Sequence, residues 1–446
     1  MRISILFYFS IVSSCLSAQN SRDNSAHSNW THHFQSTVIA QNHLAFKSPY
    51  SGNNSLADSI EPTAVSITST LFLGRKLWRN AAFYFDPELS GGRGVSGALG
   101  VAGAVNGETY RIGNSAPVVT IARAYFQQHF KLGNSGYDTT VDDINHLAAI
   151  LPSSRLTISI GKFSISDFFD VNKYSHDPRS QFFNWSLMSN GAWDYPANTK
   201  GYTQGVVLEF IKQKWAVRIS TVAVGRIANS SKMEYDLKNA HSESLEFEKH
   251  FSIAKHPGAA RLLLTNSISK APSYKQGLDA LASNNNFILG VISGNNENDK
   301  YGGKKFGIGL NVEQELTNNT GIFMRAGYND GKYVTWAFTE IDRTFAIGSS
   351  TTLTAFKKKN DVFGLAFVIN GLSYDHKTFL KSGGYGFIIG DGKLNYSPEQ
   401  IIETYYSARL FDNFALTLDY QFVNYPAYNK DRGPVHVFAI RGHIQL

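Results

Sequence analysis

Apolar and polar side chains alternate along much of this chain with a period of two residues. The stretch "ETYYSARLFDNFALTLDYQF", residues 403–422, shows the pattern twice, on either side of a break at residues 411–413. Period two is typical of β-strands, and so short a break joins two strands into an antiparallel hairpin. The pattern alone leaves open whether the polar face meets bulk water or a water-filled interior.

About sixteen windows of the chain have this strand character, and most are about ten residues long. At roughly 3.4 Å per residue and a tilt of roughly 45°, ten residues rise about 24 Å, close to the apolar band of about 25 Å of an outer-membrane barrel. Soluble strands average only about five or six residues. In chain order, the windows begin near Phe34, Ala64, Ala81, Pro117, Arg155, Thr203, Trp215, Ser244, Ala259, Lys305, Gly321, Thr344, Val362, Ile401, Phe414 and Val435.

The connections between these windows alternate in length. Short polar turns such as "IKQK", "LTNN" and "FDN" alternate with long polar stretches. Short periplasmic turns at one rim and long extracellular loops at the other are typical of outer-membrane barrels. One predicted turn, residues 131–154, is too long for this rule, and "DDINHLAAIL" within it favours a small helix. The long loops cover residues 43–63, 87–116, 164–202, 226–241, 268–304 and 372–400.

We therefore predict an all-β fold: a closed antiparallel transmembrane β-barrel of about 16 strands over residues 34–446. The even strand count fits closure, as does a last strand, "HVFAIRGHIQL", that reaches Leu446. A soluble solenoid lacks support because the sequence has no fixed repeat period. A sandwich leaves the paired short and long connections unexplained.

The N-terminus predicts export. Arg2 is followed by the apolar stretch "ISILFYFSIV" and then by small residues, the pattern of a secretory signal peptide that is too short to span a membrane. We predict that residues 1–18 are cleaved off after Ala18 and that residues 19–33 form a polar segment. Acylation of Cys15 as a lipoprotein is the alternative. Cys15 is the only cysteine, so cleavage after Ala18 would leave no disulfide.

Composition agrees with a membrane barrel. Hydrophobic residues make up 42% of the chain and charged residues only 17%, whereas about a quarter of a soluble domain is charged. Beyond the signal no run of about eighteen apolar residues exists, which excludes a helical span. The 42 basic and 35 acidic residues are dispersed along an exported chain, which argues against nucleic acid as a partner.

The sequence shows no pattern of catalytic or metal-binding residues. It contains no HExxH motif and no paired Cys or His that would indicate a metal site. Ser, His and Asp occur on many strands, but no spacing selects a triad. The glycine-rich "GRGVSGALGVAG" lacks the Gly-Lys-Ser/Thr ending of a phosphate loop, and we interpret it as a tightly packed loop. We predict no cofactor.

In a membrane barrel the apolar face meets lipid and the polar face lines the lumen. Sixteen strands enclose a lumen too wide for side chains to fill, so a water channel follows and something must narrow it. The alternation predicts that the following side chains point inward: Lys305, Asn311, Glu313 and Glu315 on one strand, Arg123, Tyr125, Gln127 and His129 on another, and Glu403, Arg409 and Asp419 on the C-terminal hairpin.

The longest loop, residues 164–202, is the candidate for the constriction. It is rich in Asp, Asn, Arg and aromatic residues, which can hydrogen-bond sugar hydroxyls and stack on sugar faces. Asp167, Asp170 and Arg179 either place opposite charges across the channel or form salt bridges that hold the loop together.

Three other residues of this region have two interpretations each. Trp185 and Trp193 either offer stacking surfaces to a sugar or lie at the membrane interface. Alternation places Lys162 on the lipid face, and a bulge at Gly161 would turn it into the pore. The alternative for Lys162 is a lysine that snorkels at the outer rim.

Several stretches together resemble the carbohydrate-selective porins of the OprB type. They are "GKFSISDFFDVNKYSHDPRSQFFNW", "LFLGRKLWRNAAFYFDPELSGGRGVSGALGVAGAVNGE", "AGYNDGKYVTWAFTEIDR", "FVINGLSYDH" and "LNYSPEQIIETYYSARL". The resemblance runs from about Phe34 to Leu446. It implies a sixteen-stranded outer-membrane barrel that passes sugars by facilitated diffusion, with inward-folded loops at the constriction. The final Leu446 departs from the Phe with which outer-membrane barrels often end.

We therefore predict a porin in the outer membrane of a Gram-negative bacterium that lets carbohydrates and other small hydrophilic solutes diffuse passively. Its surroundings would be lipid and lipopolysaccharide, and whether it forms a homotrimer stays open. A barrel protease or lipase and a non-conducting structural barrel are the alternatives. The predicted pathway and constriction residues are Arg123, Lys162, Asp167, Asp170, Arg179, Trp185, Glu313, Glu403, Arg409 and Asp419.

Overall fold

The computed structural model describes residues 28–109, 115–353 and 360–446. Sixteen antiparallel strands close into one barrel, which confirms the predicted fold class. The barrel strands are β1 Trp30–His43, β2 Ala64–Trp78, β3 Ala81–Gly92, β4 Val118–Lys131, β7 Arg155–Phe163, β8 Thr203–Lys212, β9 Trp215–Val222, β12 His241–Ile253, β13 His256–Ser269, β14 Gly303–Thr317, β15 Thr320–Asn329, β16 Arg343–Thr352, β17 Val362–Gly371, β18 Glu399–Phe411, β19 Phe414–Asn424 and β20 Val435–Gln445. Within the described ranges, four short strands are not part of the barrel sheet: β5 Tyr137–Thr140, β6 Ala149–Pro152, β10 Val224–Gly225 and β11 Met233–Glu234.

The barrel closes where its first and last strands pair along their length. The backbones of Phe34 and Leu446 exchange two hydrogen bonds, of 2.9 and 2.8 Å, at the end of this seam. The predicted signal peptide and Cys15 lie outside the described residues.

The predicted strand starts differ from the observed ones by at most four residues, and the largest difference is Trp30 against Phe34 for β1. The prediction that β3 gives way to a loop at Pro87 is wrong, because the strand continues to Gly92. The pairing of β3 with β4 shifts register between Asp86 and Pro87. Such an irregularity accommodates a proline, which has no N–H to donate to a neighbouring strand.

The alternation sets the two faces of the barrel as predicted. On β14, Lys305 and Asn311 are buried inside, while Phe306, Ile308 and Leu310 are 48%, 40% and 38% exposed on the outer surface. Apolar side chains on the outer face of each strand form the belt that a lipid bilayer covers.

The short connections lie at one rim of the barrel and the long connections at the other. The short turns include residues 79–80, 213–214, 254–255, 318–319 and 412–413. The long loops on the other rim include residues 330–342, which were not among the predicted loops. These loops carry the α-helices Trp185–Met188, Tyr274–Ala282, Asn286–Ile292 and Tyr374–Lys381 and the 3-10 turns Val95–Ala98, Ile165–Asp167 and Pro426–Tyr428. No helix in the described ranges is long and apolar enough to cross a membrane.

The long turn between β4 and β7 holds a hairpin, so the predicted helix at residues 142–151 is wrong. Strands β5 and β6 pair from Tyr137 opposite Pro152 to Thr140 opposite Ala149. The hairpin contains Thr139, Thr140, Val141 and Ile150, and these β-branched residues favour extended backbone over helix.

The hydrophobic core of the molecule lies inside the barrel, where the long loops pack against the inner wall. Phe169, Phe182 and Trp185 of loop 164–202 are at most 1% exposed. The glycine-rich segment at residues 92–103 also packs here, as predicted, since Glu399 of β18 accepts hydrogen bonds from the backbone of Ala102 and Gly103 at 2.9 and 2.8 Å.

Candidate functional site

Loop 164–202 leaves β7 and turns into the lumen. Its first residues form a capping box, in which the Ser164 side chain and the Asp167 side chain each bond to the other's backbone. The Ser164 N–H donates to Asp167 Oδ2 at 3.2 Å. A capping box satisfies backbone donors at the start of a helical turn and fixes the side chains that supply the acceptors. The loop itself therefore fixes the position of the Asp167 side chain, independently of its contact with the barrel wall.

Arg123 of β4 connects this loop to the wall. Its Nε and Nη2 atoms donate to the two carboxylate oxygens of Asp167 at 2.7 Å each, a two-point geometry that is strong and directional. Arg123 Nη1 lies 3.5 Å from Asp86 of β3, and the guanidinium lies 5.5 Å from the ring centroid of Tyr202. Side-chain exposure is 29% for Asp167 and 13% for Arg123. The pair is thus a point of attachment that still reaches water.

Arg179 forms a second attachment, and this one is buried. Its guanidinium donates to Glu88 of β3 at 2.9 Å, to Glu108 at 3.0 Å and to Gln35 of β1 at 3.1 Å. Burial alone would lower the pKa of Arg179, but the carboxylates of Glu108 and Glu88 raise it well above its ordinary value. Arg179 is 7% exposed, so of its two predicted roles the structure shows the salt bridge that holds the loop.

Asp170 forms a third attachment on the opposite wall. Its carboxylate lies 3.1 Å from Arg325 Nε of β15 and accepts hydrogen bonds of 2.7 Å from Asn190 N and Asn311 Nδ2. The Asp170 N–H donates to Glu246 of β12 at 2.7 Å. Asp170 is 3% exposed and anchors the loop instead of facing an open lumen.

The C-terminal strands hold the middle of the loop. Glu403 accepts hydrogen bonds from the backbone N–H groups of Phe183 and Asn184 at 2.5 and 2.9 Å. Gln421 links Asn184, at 3.0 Å, to Asp419, at 3.1 Å. Glu403 and Asp419 point inward as predicted, but they are 0% and 5% exposed. Glu403 binds the loop directly and Asp419 does so through Gln421, so neither lines an open passage.

The prediction that Trp185 and Trp193 meet a solute or the membrane interface is wrong, since they are only 1% and 4% exposed. The Trp185 ring stacks on Tyr195 at 5.5 Å between centroids and lies 4.9 Å from Phe338. Trp193 packs against Tyr195 and Phe169. These aromatic residues form the apolar core of the loop because they lie where it folds back on itself inside the barrel.

The predicted bulge at Gly161 is absent, since β7 pairs with β4 and β8 in continuous register. Gly161 has a φ of 140°, a backbone conformation that favours glycine. Lys162 is half-buried at the end of the strand near the long loops. Its ammonium lies 5.9 Å from the ring centroid of Tyr202, whose hydroxyl donates to the lumenal Glu88.

A cavity of about 340 Å³ opens on the short-turn side of the loop. Arg409 lies at its edge, where Nη1 donates to the Asp412 backbone at 3.1 Å. Glu313 of β14 points inward as predicted, accepts from the Lys173 N–H at 2.6 Å and lies 3.4 Å from Arg261. This cavity is a vestibule below the constriction loop, and its wall is mostly polar and charged.

Among the predicted pathway residues, the structure brings Arg123 and Asp167 together and joins Glu403 to Asp419 through one network. Sequence reasoning missed the partners on the wall. Alternation in "FYFDPELS" would have directed Asp86 and Glu88 inward, but no local signal identifies Arg325 as the partner of Asp170. In the part of the chain that the structure describes, no group of three or more His, Cys, Asp and Glu residues could hold a metal ion.

Comparison with solved structures agrees with this architecture. The structure of Pseudomonas putida OprB at high pH aligns with a TM-score of 0.68 at 14% identity, covering 94% of both chains. The outer-membrane channel DcaP of Acinetobacter baumannii aligns with a TM-score of 0.50 at 10% identity, covering 94% of this chain and 97% of DcaP. At such identities the likeness supports the fold alone. Comparison with curated protein sequences gave no match.

The family comparison covers most of the barrel. Residues 63–446 match the family described as "Carbohydrate-selective porin, OprB family". Members of this family and the similar solved proteins are channels rather than enzymes. The chain therefore belongs to the OprB family of carbohydrate-selective porins and is an outer-membrane porin for small solutes.

Proposed function

We propose that this porin passes sugars and other small hydrophilic solutes through a constriction that loop 164–202 forms inside the barrel. The observation that carries the proposal is the position of this loop. Arg123 of β4 and Glu88 of β3 hold it on one side of the inner wall, and Arg325 of β15 holds it on the opposite side. An open barrel of sixteen strands would leave an aqueous channel, so a loop fixed inside it sets the size of the opening.

The Arg123–Asp167 pair forms the charged edge of this constriction. It keeps the greatest exposure among the three attachments, with 29% for the Asp167 side chain against 2% for Glu88 and 3% for Asp170. A guanidinium and a carboxylate side by side have no net charge but offer strong donors and acceptors. Such a surface favours neutral polyols, which can exchange hydrogen bonds with both partners as they pass.

The experiment is single-channel recording in planar bilayers with added sugar. Arg123→Ala and Asp167→Ala should each raise the conductance and weaken the block by a sugar. The matched control is Arg226→Ala, because the Arg226–Glu297 pair, at 2.6 Å, is 49% and 30% exposed on the extracellular loops. If both lumenal variants keep the conductance and sugar block of the control, the constriction lies elsewhere. If the wild-type protein gives no steady current, the barrel has a structural role.

A further inference from the structure

The hairpin β5–β6 starts at the short-turn rim, but its tip, residues 141–148, lies inside the barrel. Asp142 reaches His33 of β1, with 3.4 Å between Oδ1 and Nε2. Leu147 is 8% exposed and belongs to the same buried cluster as Tyr84 and Tyr125 on the inner faces of β3 and β4. The Leu147 backbone N–H points towards the Tyr84 hydroxyl oxygen. A turn on this rim would ordinarily be short and solvated.

The tip reaches as far as the constriction. Leu147 shares a buried cluster with Tyr84, which lies two residues before Asp86 on the same face of β3. The Asn145 side chain lies near the Asp86 carboxylate. Asp86 lies five residues beyond the start of β3 at Ala81. At about 3.4 Å per residue, this is about 17 Å along the strand. Asp86 is the same carboxylate that lies beside Arg123, the partner of Asp167. The tip, the wall and the constriction loop thus meet through one set of polar side chains.

The hairpin has bonds of its own that give the tip a fixed shape. Thr140 Oγ1 donates to the carbonyl oxygens of Leu147 and Ala149 at 3.0 and 3.1 Å. Asp143 and His146 exchange backbone hydrogen bonds of 3.0 and 2.9 Å. Asn145 has a φ of 55°, in the left-handed region that Asn tolerates better than most residues. The turn therefore directs Asn145 and Leu147 without help from the barrel wall.

We propose that the hairpin tip is the periplasmic wall of the constriction and a positioning element for Arg123. By occupying the space beneath Asp86, the tip excludes water from that carboxylate and keeps the Arg123 guanidinium directed at both Asp86 and Asp167. A solute that passes the Arg123–Asp167 pair then meets the tip, so loop and hairpin limit its size together. The inference rests on the proposed function, because it needs the constriction to lie at this pair.

Two variants remove the tip in different ways. Replacing residues 141–148 with Asn-Gly closes the hairpin directly at the Thr140–Ala149 pair, since this dipeptide is suited to a two-residue turn. Leu147→Asp keeps the length and places a charge in the apolar contact with Tyr84 and Tyr125. Val141→Asp is the matched control, because it adds the same charge to the same hairpin at a position that is 75% exposed.

Each variant is first checked for folding on gels, where a folded barrel migrates differently before and after boiling. Its single-channel conductance is then measured with and without sugars of increasing size. We expect the shortened hairpin and Leu147→Asp to raise conductance by at least about twofold and to admit larger sugars, because flow depends steeply on pore diameter. Val141→Asp should match the wild type. Asp167→Ala, measured beside them, separates the two proposals. If only Asp167→Ala raises conductance, the hairpin is not part of the constriction; if neither it nor the hairpin variants change conductance, the constriction itself is misplaced.

Discussion

Replacing Arg325 with Met should loosen the constriction loop more than any change at an exposed ion pair. Arg325 is fully buried and lies against Asp170 at 3.1 Å. It also donates to the carbonyl oxygens of Leu187 at 2.8 Å, Asp170 at 3.1 Å and Ser175 at 2.7 Å. Removing one partner of a buried pair costs about 3–5 kcal/mol, because the other charge stays buried without compensation. The three backbone carbonyl oxygens also lose their hydrogen-bond donor, which lowers the stability further.

The matched control is Lys173→Met in the same loop. Lys173 pairs with Glu315 at 3.0 Å, but its side chain is 60% exposed, so its removal should cost about 0–1 kcal/mol. Asp170→Asn in the Arg325→Met background should restore part of the loss, because it removes the uncompensated charge.

The assay follows the folded band on unboiled gels through a urea series and then records single-channel conductance. Arg325→Met should unfold at clearly lower urea than Lys173→Met and give larger, noisier currents. If the two variants unfold at the same urea concentration and conduct alike, then Arg325 does not hold the loop.

Three further predictions follow from burial and from the outer face. Burial raises the pKa of Glu340 to about 7 from 4.5, so between pH 4.5 and 7 the folded protein binds a proton at Glu340 that the unfolded chain does not. The urea concentration at the unfolding midpoint should therefore fall as pH rises through this range and level off above it. In Glu340→Gln this pH dependence should be absent. Trp185→Phe should leave the block of the channel current by sugars unchanged, because Trp185 is buried. A several-fold weaker block would show instead that Trp185 stacks on sugars. Leu208→Arg, at a lipid-facing position that is 38% exposed in the middle of its strand, should destabilise the folded band by about 2–4 kcal/mol, whereas Lys249→Arg at the periplasmic rim should not.

The barrel could be predicted closely because the residue pattern within each strand indicates both its length and which of its faces is apolar. Ala64, Ala81 and Phe414 begin strands in the structure as they do in the pattern, since the bilayer requires an apolar side chain at every second position. The long turn at residues 131–154 was misassigned because helix and strand patterns are hard to separate over so few residues. Its two strands pair only with each other, and Leu147 finds its apolar surroundings only inside the barrel.

The candidate site was harder to predict because burial inside the lumen depends on contacts far apart in the chain. Composition directed attention to loop 164–202, and Asp167 does meet Arg123 of β4. Composition could not show that Asp170, Arg179 and Trp185 are buried. The partner of Asp170 comes from β15 and that of Arg179 from β3, while Trp185 packs against residues 195 and 338. Charged and aromatic residues in a pore loop serve equally as anchors or as lining, and only the fold distinguishes the two.

The most direct test of the account is the wild-type current in a planar bilayer while neutral sugars of increasing length are added. We expect a steady open current that falls as sugars small enough to enter the constriction are added and is unaffected by longer ones. The size limit should move to longer sugars in Asp167→Ala. A barrel without steady current, or a current that sugars of all lengths reduce equally, would contradict the claim that loop 164–202 forms a selective constriction.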